Sequence, residues 1–132
     1  MLIVVDTSVI IAVITNEKHK NELIEQTIGT NLISPPSLHW EICHAFSAMF
    51  KRNKITLNQA KSAINYYLKI PIRFIDIDLK NVLNISKENN IYAYDAYFLE
   101  CAIKQKAKLL TLDNNLKSIA EKLNIKTIEV TS

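Results

Sequence analysis

Apolar runs alternate with apolar stripes along this chain, and the alternation predicts its elements. Leu2–Val5 is a continuous apolar run, which suits a strand buried on both faces and is too short for a helix. A short helix follows around Val9–Ile14, with Thr7 or Ser8 as its cap, and a polar helix spans Lys18–Gln26. Asn31–Ser34 reads as a second strand, ended by Pro35 and Pro36. Ser37 then caps a helix from Leu38 to about Lys51, whose stripe is Leu38, Ile42, Ala45, Phe46 and Met49. Thr56 opens another helix over about Leu57–Lys69, closed before Pro71. Ile72–Ile77 reads as a strand, Asp78 caps a helix to about Glu88, and Tyr94–Lys106 is a further helix. Strand Leu109–Leu112, a helix capped by Asp113 or Asn114, and a last strand Thr127–Val130 complete the chain. Strands separated by helices predict an α/β fold with a mostly parallel central sheet flanked by helices, an α/β/α sandwich.

The length of 132 residues matches one domain, so residues 1–132 are expected to share a single core. Gly29 is the chain's one glycine, which leaves neither a P-loop nor a dinucleotide fingerprint to be written. The first apolar run is brief, has no basic stretch before it and ends on Asp6. No secretion signal or membrane span is predicted, and a cytoplasmic protein is expected. In that compartment Cys43 and Cys101, both within helical apolar patterns, read as reduced, buried structural thiols. His39 and Cys43 share a helix face with His44 nearby, but a structural zinc needs four close ligands.

Candidate chemistry lies in four acids at the edges of apolar segments. Asp6 ends the first strand, and Asp113 ends Lys108-Leu-Leu-Thr-Leu112. Ligands in open α/β sheets sit at the carboxyl ends of such strands. Glu41 lies in the first turn of its helix, on the side of Ala45 and Ala48, and Asp95 shares a face with Leu99, Ala102 and Ile103. Glu100, paired at i+4 with Lys104, reads instead as a solvated surface charge. Each of the four acids taken singly could be a helix cap or an answer to a helix dipole. Brought into one crevice, they would raise one another's pKa values and call for a divalent cation. Oxygen donors without His or Cys favour Mg²⁺ or Mn²⁺, and such a site is suited to phosphoryl transfer.

The set Asp6-Thr7-Ser8, Glu41, Asp95 and Thr111-Leu-Asp113, in this order over nearly the whole chain, resembles a PIN domain. The small size and the run Tyr94-Asp-Ala-Tyr-Phe-Leu-Glu-Cys-Ala102, followed by Leu109-Leu-Thr-Leu-Asp113, resemble the VapC-type ribonuclease toxins of toxin–antitoxin pairs. The resemblance implies a Mg²⁺- or Mn²⁺-dependent endoribonuclease cutting tRNA, rRNA or mRNA, a homodimer, and a cognate antitoxin that inserts a segment into the acidic groove. It makes Asp6, Glu41, Asp95 and Asp113 the metal-binding and catalytic acids, with Thr7, Ser8 and Thr111 orienting them. The family commonly has a glycine where this chain has Lys106-Ala-Lys108.

Charge adds little to this. A net charge of +3 and a pI near 8.8 permit polyanion binding. Lys51, Arg52 and Lys54 form one candidate RNA contact and Lys104, Lys106 and Lys108 another, although cations also suit helix ends. Tyr94, with Tyr92 and Tyr97, could stack on unpaired bases, and packing is the competing use of these rings. Tyr66 and Tyr67 suit either a dimer surface or the core. Two rival classes stand beside the ribonuclease. One is another Mg²⁺-dependent phosphohydrolase, which would want a second Asp where Ser8 stands. The other is a non-catalytic module whose acidic groove binds a basic peptide.

Overall fold

The computed structural model describes residues 1–131. Its strands are β1 (Leu2–Val5), β2 (Asn31–Ser34), β3 (Ile72–Phe74) and β4 (Lys108–Leu110). The helices are α1 (Thr7–Ile14), α2 (Lys20–Thr27), α3 (Leu38–Lys51), α4 (Leu57–Tyr67), α5 (Leu79–Asn89), α6 (Ala93–Gln105) and α7 (Asn114–Lys122). The sheet order is β3-β2-β1-β4, with every pair parallel. From β1 the chain steps outward to β2 and β3, then returns across the sheet to place β4 on the other side of β1. Right-handed crossovers therefore put α1 to α4 on one face and α5 and α6 on the other. The packing agrees: α1 contacts α2, α3 and α4, whereas α6 contacts α5 and lies on β1 and β4. The reversal of direction opens a crevice between the carboxyl ends of β1 and β4.

β1 is the central strand, and its apolar run exists because both faces are covered: Ile3, Val4 and Val5 are fully buried. They pack with Ile33, Leu38, Ile42, Phe98, Leu99, Leu109 and Leu110 in one core. Thr56 and Gln59 form a reciprocal capping box at α4. Asp78 caps α5 as its position predicts.

Several expectations are corrected. The cap of α1 is Asp6, not Thr7 or Ser8, because its carboxylate accepts from Val9 N at 3.1 Å. Ser37 occupies the cap position of α3 in helical conformation and makes no side-chain cap bond. Residues Thr127–Val130 form no strand. β4 spans only three residues, and its outer edge receives two bonds, Leu109 N to Lys126 O at 2.9 Å and Ile128 N to Leu109 O at 3.1 Å, giving an isolated bridge. Glu100 is buried, not solvated. α6 lies between the sheet and α5 and is covered almost all round, so Asn81 of α5 approaches Glu100 at 3.5 Å while Lys104 reaches the Asp76 carbonyl instead. Ile103, expected inside, is exposed. Cys101 is buried, but Cys43 is exposed because it falls beside the stripe of α3 rather than on it.

With one glycine available, left-handed backbone falls to Asn16, Asn53, Asn90, Asn124 and Lys106. Asparagine adopts that region at lower cost than lysine. Lys106 has φ 51° at the C-terminus of α6, where helices favour glycine. Lys106→Gly is therefore expected to stabilise the fold by about 0.5–1 kcal/mol, the relief of strain exceeding the entropy that glycine adds to the unfolded chain. Urea unfolding checks this, and a lower midpoint would show that the lysine side chain contributes more than its backbone costs.

Candidate active site

Register places the first acid. Val5 pairs with Leu110, so Asp6 and Thr111 leave the sheet side by side, with Asp6 N donating to Leu110 O at 3.4 Å. The buried Asp6 carboxylate accepts from Ser8 Oγ at 2.7 Å, from Val9 N and, in a short bond, from Thr111 Oγ1. Ser8 Oγ also accepts from Leu112 N at 3.0 Å, and Thr111 Oγ1 from Asp113 N at 3.0 Å. Ser8 and Thr111 thus fix the Asp6 carboxylate and also stitch the turn after β1 to the turn after β4. On the other side, Ser34 Oγ donates to Val5 O at 3.1 Å and holds the end of β2.

The remaining acids come from three other segments. Asp113 caps α7 through Asn115 N and Leu116 N and is exposed. Glu41 and Asp95 lie in the first turns of α3 and α6 and are half-buried. Electrostatic coupling links Asp6 with Asp113 and Glu41, and Asp95 with Glu41 and Asp113. Burial pushes Asp6 up to about 6 against the pull of its hydroxyl and amide donors, with Asp113 adding a smaller push. Burial likewise raises Glu41 to about 7, with smaller pushes from Asp6 and Asp95. Asp95 is raised by burial and then by Asp113. The capping reading holds for Asp6 and Asp113, and a cap bond does not prevent a carboxylate from also facing a groove.

Ser37 and Thr7 lie close enough to Glu41 to offset part of its rise. Neither closes a hydrogen bond of acceptable geometry, so Thr7 Oγ1, Ser37 Oγ and Glu41 Oε2 are buried without a partner. Orphaned buried oxygens of this kind call for an explanation such as an ion or a water. Ser37 was not among the sequence-derived site residues. Its spacing of four from Glu41, which stacks the two on one helix face, was the available signal.

Among the described residues the ion pair within 4 Å is Lys117–Glu129, so none of the four acids meets a base at that distance. The donors suit a divalent cation in kind, being hard oxygens with one unpartnered carboxylate oxygen among them. As placed, no three acidic, histidine or cysteine side chains among the described residues converge on one coordinating point.

Other candidates lie elsewhere. Lys51, Arg52 and Lys54 are exposed, but they sit at the far end of α3, roughly 15 Å or more along its axis from Glu41. Lys104 and Lys106 are exposed and Lys108 is half-buried. Tyr92 and Tyr94 are exposed, whereas Tyr97 packs against the core. Tyr67 is buried, its hydroxyl 2.8 Å from His39 Nδ1, which removes it from any dimer surface and engages His39. Tyr66 remains exposed beneath Lys20 Nζ at 5.4 Å. No helix among the described residues is long and apolar enough to cross a membrane.

A parallel α/β sheet with carboxylates gathered at its switch point defines a strand-end acidic site. The model of the PIN domain matches residues 3–122, and the chain belongs to the PIN domain family. The fold is similar to that of VapBC2 from Rickettsia felis bound to a DNA fragment from their promoter, at 16% identity over 99% of this chain and 100% of that one, with a TM-score of 0.70. It is similar also to PAE2754 from Pyrobaculum aerophilum, at 18% identity over 93% and 86%, with a TM-score of 0.71. A third similar structure is Mycobacterium tuberculosis VapC20, described as a sarcin-ricin loop cleaving toxin, at 12% identity over 88% and 93%, with a TM-score of 0.62. No curated protein matches the sequence at a significant level.

The acids give the cation-free protein a pH dependence. Between about 4 and about 6 the folded state keeps a proton on Asp6 that the unfolded chain has released, so stability falls as pH rises through that window. Asp6 accounts for about 3 kcal/mol of the fall, and Glu41 extends it through about 7. In EDTA the unfolding midpoint is expected to drop from pH 4.5 to pH 8, and Asp6→Asn to flatten the lower part of that drop. Parallel pH profiles for the two proteins would show that Asp6 ionises normally.

Proposed function

We propose that this protein is a Mg²⁺- or Mn²⁺-dependent endoribonuclease that hydrolyses RNA phosphodiester bonds, and that it is the toxin of a toxin–antitoxin pair. The observation that carries the reading is the buried Asp6 carboxylate at the end of the central strand, linked electrostatically to Glu41 and Asp113 and through them to Asp95, with no pairing base for the four acids among the described residues. Membership of the PIN family supports nuclease chemistry, and likeness in fold to VapC20, a toxin that cleaves the sarcin-ricin loop, supports RNA as substrate.

Asp6, Glu41, Asp95 and Asp113 would hold the cation, which when bound lowers the pKa of water and offsets charge on the phosphate during in-line displacement. Ser8 and Thr111 keep the Asp6 carboxylate in one orientation, a preorganisation that avoids rearrangement during the reaction. Glu41 Oε2 is the unpartnered oxygen available in the groove. Thr7 and Ser37 lie beside Glu41 without bonding to it. Water is the nucleophile, so no side chain is consumed. The partners proposed are an antitoxin whose basic segment neutralises the same acids and a second copy of the chain in a homodimer. Cytoplasmic RNA is the proposed target.

Asp6→Asn is expected to lower metal-dependent cleavage of total RNA by about 10³ or more, on the scale of losing one preorganised charge contact, while circular dichroism stays unchanged. Full activity in this variant would remove Asp6 from the mechanism. At pH 7.5, Mg²⁺ or Mn²⁺ should raise the unfolding midpoint of the wild type, by about 2.7 kcal/mol at a hundredfold excess over Kd. An unmoved midpoint across a full titration would count against a cation site among these acids.

A further inference from the structure

The first turn of α3 carries Glu41, and that turn lacks the usual lock at its start. Ser37 stands at the cap position in helical conformation, makes no side-chain cap bond and keeps a buried hydroxyl without a partner. A Glu41 carboxylate oxygen is without a partner as well. The tether lies on the other flank of the helix. His39 Nδ1 and the Tyr67 hydroxyl are 2.8 Å apart. The His39 ring lies 4.4 Å from that of Phe74, at the end of edge strand β3, and meets the Tyr67 ring edge-on at 5.7 Å. Tyr67 is the last residue of α4 and is only 5% exposed, so its hydroxyl is a fixed anchor. Among the described residues, this is the side-chain hydrogen bond that joins the first turn of α3 to another element.

Helix geometry links that tether to the carboxylate. At roughly 100° per residue, His39 and Glu41 project from opposite flanks of the stripe that Leu38 and Ile42 bury in the core. Apolar contact is non-directional, so the stripe holds the helix against the sheet while leaving it free to roll. Rolling raises one flank as it lowers the other. A hydrogen bond is directional, and one at His39 therefore sets where Glu41 stands. The setting matters because no three acidic, histidine or cysteine side chains among the described residues converge on one point as placed. A cation would have to draw the Glu41 side chain inward, against a turn that either holds still or loses part of the binding energy to being ordered.

We infer that Tyr67, acting through His39, is a positioning residue for Glu41: it fixes the roll of the first turn of α3, so that the carboxylate is in place before a cation arrives. The inference rests on the cation site proposed above and adds to it a hydroxyl from α4 that itself holds no cation.

Tyr67→Phe deletes the hydroxyl and keeps the ring. Mn²⁺ titrated into the folded protein and followed by calorimetry should bind this variant about fivefold more weakly than the wild type, a loss on the scale of one hydrogen bond. His39→Phe should give a similar loss and the double variant no further loss, because each breaks the same connection. In a Glu41→Gln background the Tyr67→Phe penalty should vanish, whereas in an Asp113→Asn background it should persist. A contact that only holds α3 and α4 together would lower the unfolding midpoint without producing this pattern. Should Tyr67→Phe not fold, His39→Phe carries the same comparison. Equal Mn²⁺ affinity in the wild type and in folded Tyr67→Phe would overturn the positioning role and leave the cation site standing. A penalty undiminished in Glu41→Gln would also overturn it, assigning the bond to the fold at large. A wild type that binds no Mn²⁺ would overturn the cation reading, and the inference with it.

Discussion

The Asp6 carboxylate is the junction on which the arrangement depends. It ends the central strand, caps α1 and accepts the hydroxyls of Ser8 and Thr111, so one buried group ties together β1, α1 and the turn after β4. Those hydroxyls bind backbone amides on the far side of the crevice in turn. The bonds are needed because a carboxylate with so little contact with water is costly unless its lone pairs are satisfied. The geometry of the site and the closure of the sheet therefore share one set of bonds.

A tension follows between stability and use. Burial, with smaller pushes from neighbouring acids, raises Asp6, Glu41 and Asp95, and a carboxylate oxygen of Glu41 is left without a partner. Folded proteins tend to accept such local cost where a function depends on it. The unpaired hydroxyls of Thr7 and Ser37 belong to the same pattern. They sit beside Glu41, yet the helical conformation of Ser37 directs its hydroxyl away from the usual capping bond.

Much of this was legible in the sequence because the strongest signals were local. The ends of β1, β2 and α3 follow from an apolar run, a Pro-Pro stop and a stripe, and the four acids stand out in the sequence by their positions at the edges of apolar segments. What escaped depended on tertiary covering. Glu100 reads as a surface charge until α5 is placed over α6, and Thr127–Val130 reads as a strand until the three-residue β4 limits what it can pair with. The buried state of Tyr67 depends on His39, 28 residues away. The basic residues at the end of α3 illustrate a different limit. Composition suggests a role for them in the groove, but helix rise carries them out of it.

The parallel topology also sets when the site comes into being. β1 precedes its neighbour β4 in the chain, and the hydroxyl of Thr111 is separated from Asp6 by a sequence distance of 105 residues. A chain that emerges N-terminus first therefore carries Asp6, Glu41 and then Asp95 with one edge of the central strand still unpaired. The groove can close only after β4 and Thr111 have been released from synthesis. Whatever chemistry the groove performs is withheld until β4 has emerged, so activity arrives in one step rather than building up along the chain.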